Sequence, residues 1–287
     1  LTANYTMTAD LRCSARQIYD NGQNRAAVVL DSGGITLDCN GHAIILDPDP
    51  TGGAALPAPD PDDKPYALRN GIPVNCAAGG SSAGCRSNVN IKNCRFRGFQ
   101  SGVYAPKATA WTIEDNRFEG RFRQDPGVTA DAANEYAIKI GPSDEDGLTI
   151  QRNVFWSPYK GIYASFSAAG GSDVIIREND ILDAFFVGME LRSLHERSEV
   201  AVNRITVNTP TPAQAKRAAL WLVSPEGVSS PRSPVKVYGN YLDCADAGYV
   251  GTNGAPGSPG TCDYGDLAIT TTPAAVDVYD NVLTGSG

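Results

Sequence analysis

The chain has 287 residues, a formal net charge of -8 and 41% hydrophobic residues, long enough for one large core. A pI near 4.8 argues against a nucleic-acid partner, because phosphates call for a basic face. No apolar run approaches the roughly 20 residues that cross a bilayer, so no membrane span is expected.

In chain order, one pattern recurs: apolar-x-apolar-x-x-Asn-x-apolar. It opens at Ile35-Thr36-Leu37 with Asn40, and returns at Val89-Asn90-Ile91 with Cys94 in the Asn slot. It continues at Trp111-Thr112-Ile113 with Asn116, Leu148-Thr149-Ile150 with Asn153, and Val174-Ile175-Ile176 with Asn179. The last copies are Ser198 to Val200 with Asn203, Val235-Lys236-Val237 with Asn240, and Val276-Asp277-Val278 with Asn281. Irregular repeat lengths around a fixed strand are the mark of a solenoid that keeps its strands and varies its loops.

A second pattern, small-apolar-x-apolar, follows each variable loop. It occurs at Gly71-Ile72-Pro73-Val74, Gly102-Val103-Tyr104-Ala105, Ala137-Ile138-Lys139-Ile140 and Gly161-Ile162-Tyr163-Ala164. It recurs at Gly188-Met189-Glu190-Leu191, Ala219-Leu220-Trp221-Leu222 and Leu267-Ala268-Ile269. Such short, alternating strands share a core only if successive coils stack in parallel. At the bend after the first strand, each Asn amide then meets its copy about 4.8 Å away in the next coil, and Cys94 interrupts that ladder.

Seven cysteines beside two methionines and two histidines suggest an exported, oxidised protein. Spacing pairs Cys76 with Cys85, Cys244 with Cys262 and Cys13 with Cys39, leaving Cys94 as a buried thiol. The chain starts at Leu1 without a Met, so a leader is taken to have been removed, and a secreted or periplasmic monomer is expected.

This order of strand, Asn, strand, loop and strand resembles the right-handed parallel β-helix proteins of pectate-lyase-like architecture. The resemblance covers residues 28–287 and implies an all-β fold, a single-stranded right-handed parallel β-helix of about eight coils. Residues 1–27 then serve as the N-terminal cap, since an open end presents unpaired strand edges. The whole chain, 1–287, is expected to be one domain. Members of the family act mostly on polysaccharides, many on uronic-acid polymers, and others only bind glycans or build surfaces. The Arg-x-Pro-x-x-Arg signature of pectate lyases and the Gly-His-Gly of polygalacturonases are absent from this sequence, so no subfamily is assigned.

In lyases of this architecture the groove runs over the strand after the long loop. Alternation puts Tyr104, Lys139, Tyr163, Glu190 and Trp221 in one outward column, with Pro106, Gly141, Ser165, Arg192 and Val223 in a parallel one. Aromatic faces suit the C–H surfaces of sugar rings. The loops at residues 119–135, 206–217 and 243–266 wall this side, and Arg121, Arg123, Asp125, Asp131 and Glu135 are expected near Lys139. His195 lies in the turn beyond Arg192, within reach of the strip, whereas His42 sits in a structural Asn-Gly-His turn.

The resemblance implies a lyase that removes the C5 proton of a uronate after its carboxylate is neutralised. Lys139, its pKa lowered by neighbouring cations or burial, is the candidate base and Tyr163 the candidate acid. Arg192 is expected to clamp the carboxylate, and Glu190 to orient Lys139 or Arg192. Tyr104, Trp221, Glu135 and His195 are the candidate substrate-binding residues. A glycoside hydrolase needs two carboxylates about 5 to 9.5 Å apart, and Glu190 with Asp131, Glu135 or Asp183 is the candidate pair. A non-catalytic glycan-binding β-helix is the third possibility. No cofactor is required by these residues; the acidic turn Ser143-Asp144-Glu145-Asp146-Gly147 has carboxylate oxygens suited to calcium. The expected partner is an acidic polysaccharide or another glycan.

Overall fold

The computed structural model describes residues 1–14, 26–47, 66–70, 87–99, 101–106, 108–119, 136–143, 146–158, 160–166, 171–184, 186–209, 218–223, 234–246, 266–270 and 276–284. These residues form strands and turns without a helix. Three sheets run the length of the stack, each ordered as the chain is ordered. The first has 9 strands, from Tyr5–Thr6 to Val276–Tyr279; the second has 9, from Leu11–Ser14 to Val282–Leu283. The third has 8: Ala26–Leu30, Tyr66–Asn70, Ser101–Ala105, Tyr136–Ser143, Lys160–Phe166, Val187–Arg192, Ala218–Val223 and Leu267–Thr270. Neighbouring strands pair in parallel, so the chain circuits the three sheets once per coil, as the repeat predicts.

Three-residue strands in the first two sheets bury only their middle residue, for example Thr112–Glu114 and Arg117–Glu119. Because the register is straight, like stacks on like: Ile91, Ile113 and Ile150 align in the first sheet. In the second, the rings of Phe96 and Phe118 are 4.8 Å apart and those of Phe118 and Phe155 4.6 Å apart. Each such buried side chain contributes about 1.5–3 kcal/mol, and no single strand holds enough of them to fold without its neighbours.

The asparagines form the expected ladder between the first and second sheets. Nδ2 of Asn116, Asn153, Asn179, Asn203 and Asn240 donates to Oδ1 of the next Asn at 2.8 to 3.0 Å. The same Oδ1 also accepts the preceding rung's backbone N–H, as in Asn153 N to Asn179 Oδ1 at 3.1 Å. The second Nδ2 hydrogen of Asn153 reaches back to Ile113 O at 2.8 Å. An amide offers two donors and one double acceptor, which these neighbours fill. The residue before each Asn turns the corner with a left-handed backbone, from Asp115 at φ 57° and Arg152 at φ 53° to Val202 at φ 55° and Asp280 at φ 53°.

The N-terminal end differs from expectation in three respects. Segment 1–27, expected as a cap, carries strands Tyr5–Thr6 and Leu11–Ser14, which pair with Thr36–Asp38 and Ala43–Asp47 as a further coil. Strands this short and exposed show no alternation to find in the sequence. Asn40 is not a rung: it is exposed at φ 50° and is followed by Gly41 at φ 79°. The turn there is two residues longer than its neighbour's, because Asp38 pairs with Lys92 but Ala43 with Arg95, so Cys39 takes the inward slot.

Cys39 and Cys94 are joined by a disulfide. Cys13 is instead a half-buried thiol, and Cys94 is no lone thiol in the column. The backbone N–H of Cys94 donates to Oδ1 of Asn116 at 2.9 Å, so a covalent bond continues the ladder where the amides stop. Cys244 is disulfide-bonded. The expected pair Cys76 and Cys85, and Cys262, lie outside the described residues.

Candidate outer groove on the third sheet

The third sheet places its outward residues by an unusual corner. In Ser101–Ala105 and its neighbours, two successive residues face the core. A side chain on Gly102 would strike the Phe118 ring at 2.5 Å, one on Gly161 the Gly188 carbonyl at 2.3 Å, and one on Gly188 the Ile205 side chain at 2.1 Å. The small residue of the second pattern is therefore required by the inner packing. The residue before it and the residue two after it both face out.

The predicted column is present in register: Tyr104 beside Lys139, Lys139 beside Tyr163, Tyr163 beside Glu190, and Glu190 beside Trp221. Arg69 holds the register position before Tyr104. The expected strand Gly71–Val74 lies outside the described residues, and Tyr66–Asn70 takes its place in the sheet. In the parallel column Ser165 pairs with Arg192 and Arg192 with Val223, but a bulge between Ile140 and Ser143 removes Gly141 from that row.

Contacts run along the column. Nζ of Lys139 lies 5.3 Å from the Tyr104 ring centre, and the Arg192 guanidinium lies 5.7 Å from Tyr163 and 6.0 Å from Trp221. Trp221 packs on Ala218 and Ala268, and its Nε1 donates to Thr270 Oγ1 at 3.0 Å. Cations on ring faces at this range are attracted by about 0.5–1 kcal/mol each where solvent reaches them.

Glu190 is the buried charge of the site, only 3% exposed. Arg192 donates Nε to its Oε1 at 2.7 Å, and Tyr136 donates its hydroxyl to Oε2 at 3.0 Å. Of the two roles expected for Glu190, the structure shows the one toward Arg192. Two of the three guanidinium nitrogens of Arg192 bond to Glu190, so the expected carboxylate clamp already holds a carboxylate of the protein.

Sequence alternation missed Tyr136, Lys160 and Phe186. Tyr136 and Lys160 are register partners one position before the small residue. Lys160, 8% exposed, donates to the Tyr136 hydroxyl at 3.3 Å. Its Nζ lies 4.8 Å from the Tyr136 ring and 5.0 Å from Phe186. The Tyr136 and Tyr163 rings are 4.7 Å apart. Strict period two would put Tyr136 inside with Ile138 and Ile140; the double-inward corner turns it out, and the small residue was the available sign. Burial, and then the Glu190 charge and hydrogen bond, hold the Tyr136 phenol well above its ordinary pKa of 10.0, so it stays a donor at neutral pH. Burial disfavours the Arg192 cation, but Glu190 outweighs it and raises the pKa.

The remaining candidates spread out. His195 is half-buried, its backbone N–H donates to Gly171 O at 2.9 Å, and burial lowers its pKa below 6.5. His42 belongs to the N-terminal turn, its Nδ1 3.5 Å from Asp10. Asp183 is on the second sheet, away from Glu190. Glu135, Arg121, Arg123, Asp125 and Asp131 lie outside the described residues, as do most of the long loops. So do Asp144 and Glu145 of the calcium turn, while Asp146 accepts the Ser172 N–H at 2.8 Å. Among the described residues no group of three His, Cys, Asp or Glu is placed to hold a metal, and no helix is long and apolar enough to cross a membrane.

With this geometry in place, comparison with known families is direct. The family described as right handed beta helix region matches residues 70–217, just over half of the chain, and the protein belongs to that family. The family accommodates carbohydrate-active enzymes broadly. Neither the curated proteins nor the solved structures give a match to this chain.

Proposed function

We propose that this protein acts on an acidic polysaccharide along the third sheet, as a lyase that cleaves a uronate-containing chain by β-elimination. The observation that carries this is the register of Tyr104, Lys139, Tyr163, Glu190 and Trp221 in one outward column with Arg192 beside it. A row of rings and cations at one coil spacing, about 4.8 Å, suits a sugar chain laid along the stack. An export compartment fits the disulfide between Cys39 and Cys94.

In this proposal Lys139, in its neutral form, removes the C5 proton of a uronate. The electron pair forms the C4–C5 double bond as the C4–O bond breaks, and Tyr163 protonates the departing oxygen. Glu190 holds Arg192 in place, and Lys160 with Tyr136 holds Glu190, so these three position the groove. A lyase needs no carboxylate pair, which accords with a single carboxylate, Glu190, in the described part of this column.

One observation favours a second function, glycan binding without turnover: Glu190, Arg192 and Tyr136 satisfy one another, as a stack-stabilising network would. The test is incubation with alginate, pectate, glucuronan and glycosaminoglycans, reading the ultraviolet absorbance of the new conjugated double bond. Lys139→Ala and Tyr163→Phe are expected to abolish that signal while retaining binding. Chain cleavage without the absorbance would refute β-elimination. Binding with no cleavage across the panel would leave the glycan-binding function.

A further inference from the structure

We infer that the column recognises a polymer in which an acidic sugar alternates with an uncharged one, a deepening that rests on the proposed function. The support is a strict alternation of residue type over six successive coils in direct register: Arg69, Tyr104, Lys139, Tyr163, Glu190 with Arg192, and Trp221. Cationic and aromatic rungs take turns, so each kind recurs every second coil, about 9.6 Å, the length scale of an extended disaccharide.

The rung of Glu190 keeps the pattern. Its carboxylate side chain is 4% exposed whereas that of Arg192 is 43% exposed, so a ligand meets the guanidinium there. On this rung and on Lys139 a ligand carboxylate faces a cation. On the rungs of Tyr104, Tyr163 and Trp221 it faces a ring, whose negative π-face attracts C–H surface and repels an anion. A homopolymer of uronates places a carboxylate against a ring at every second residue. An alternating chain places an uncharged sugar there. Specificity thus arises as much from the unfavourable contact as from the favourable one.

The experiment is calorimetric titration of the full chain carrying Tyr163→Phe, which keeps the ring and removes the hydroxyl assigned to proton donation. Two unsulfated oligosaccharides of equal length serve as probes, one alternating glucuronate with N-acetylglucosamine and one of uronate alone. The alternating probe is expected to bind roughly tenfold more tightly. Equal or tighter binding of the homopolymer overturns the inference while leaving acidic-glycan binding intact; binding of neither overturns both. Tyr163→Lys, which makes three cationic rungs consecutive, is expected to erase the preference, and a preference that survives it counts against the inference. Should Tyr163→Lys fail to fold, Tyr104→Lys makes the same exchange at a half-exposed rung.

Discussion

The hydroxyl of Tyr136 donates to Oε2 of Glu190 at 3.0 Å across 54 positions of sequence, reaching two coils along the stack. This bond, with Lys160 behind it and Arg192 opposite, ties three successive coils at the groove. Tyr136→Phe removes one partner and leaves Glu190 bound to Arg192, so a loss of about 1 kcal/mol is expected. Glu190→Gln disturbs both partners and is expected to cost about 2 kcal/mol, discounted because Arg192 is partly exposed. Urea denaturation of both single variants and the double variant reads the coupling. Strictly additive losses would show that the bond does not form.

The Asn ladder makes a graded prediction. Asn179 is fully buried and engages Ile150 O, Arg177 O and both neighbouring rungs. Asn179→Ala strands several of those groups and is expected to cost on the order of 3 kcal/mol. Asn281 ends the ladder and is partly exposed, so Asn281→Ala is expected to cost about 1 kcal/mol. Equal losses at the two sites would contradict the ladder's role.

Val202 holds φ 55° with 56% of its surface exposed. A β-branched residue in this region is strained by about 1–3 kcal/mol, and little burial compensates for it. Val202→Asn or Val202→Gly should therefore raise stability by about 1 kcal/mol, seen as a higher denaturation midpoint at unchanged slope. A lower midpoint would count against left-handed strain at this corner.

The disulfide between Cys39 and Cys94 closes a loop of sequence separation 55, for which chain entropy gives about 4 kcal/mol. Cys39→Ser with Cys94→Ser is expected to lose an amount of this order. Cys94→Asn with Cys39→Ser should recover part of it by adding a rung that accepts Asn116's neighbourly geometry. A double-serine variant as stable as the parent would show that the bond constrains nothing.

Asp38 carries a pH prediction. The Asn93 side-chain hydrogen bond, stronger than the opposing burial, holds its carboxyl below the ordinary 3.8, with help from the Asn40 N–H and Lys92. A depressed folded pKa means the contribution is present above the unfolded value, near pH 4, and is lost as pH falls through the folded value. Asp38→Asn should flatten the acid limb of the stability profile. An unchanged acid limb would argue against the shift.

The strand positions and the outward column were legible because a straight register repeats period two faithfully, as Lys139 beside Tyr163 shows. Tyr136 and Lys160 were hidden where that period breaks, at the corner where Ala137 and Ile138 both turn inward. Asn40 misled because an Asn in a longer turn has the same spacing from its strand as a rung, and only pairing reveals the two added residues. The cysteines misled for a related reason: Cys39 and Cys94 are far apart in sequence but one coil apart in space.

The rungs all donate in one direction, each Nδ2 toward the next coil, and the two ends of the series are unlike. At one end stands a covalent bond; at the other, Tyr279, Val282 and Leu283 are 43%, 52% and 53% exposed. Under tension the molecule should behave as a spool with a locked hub, peeling one turn at a time from its C-terminal rim and halting at the sulfur link.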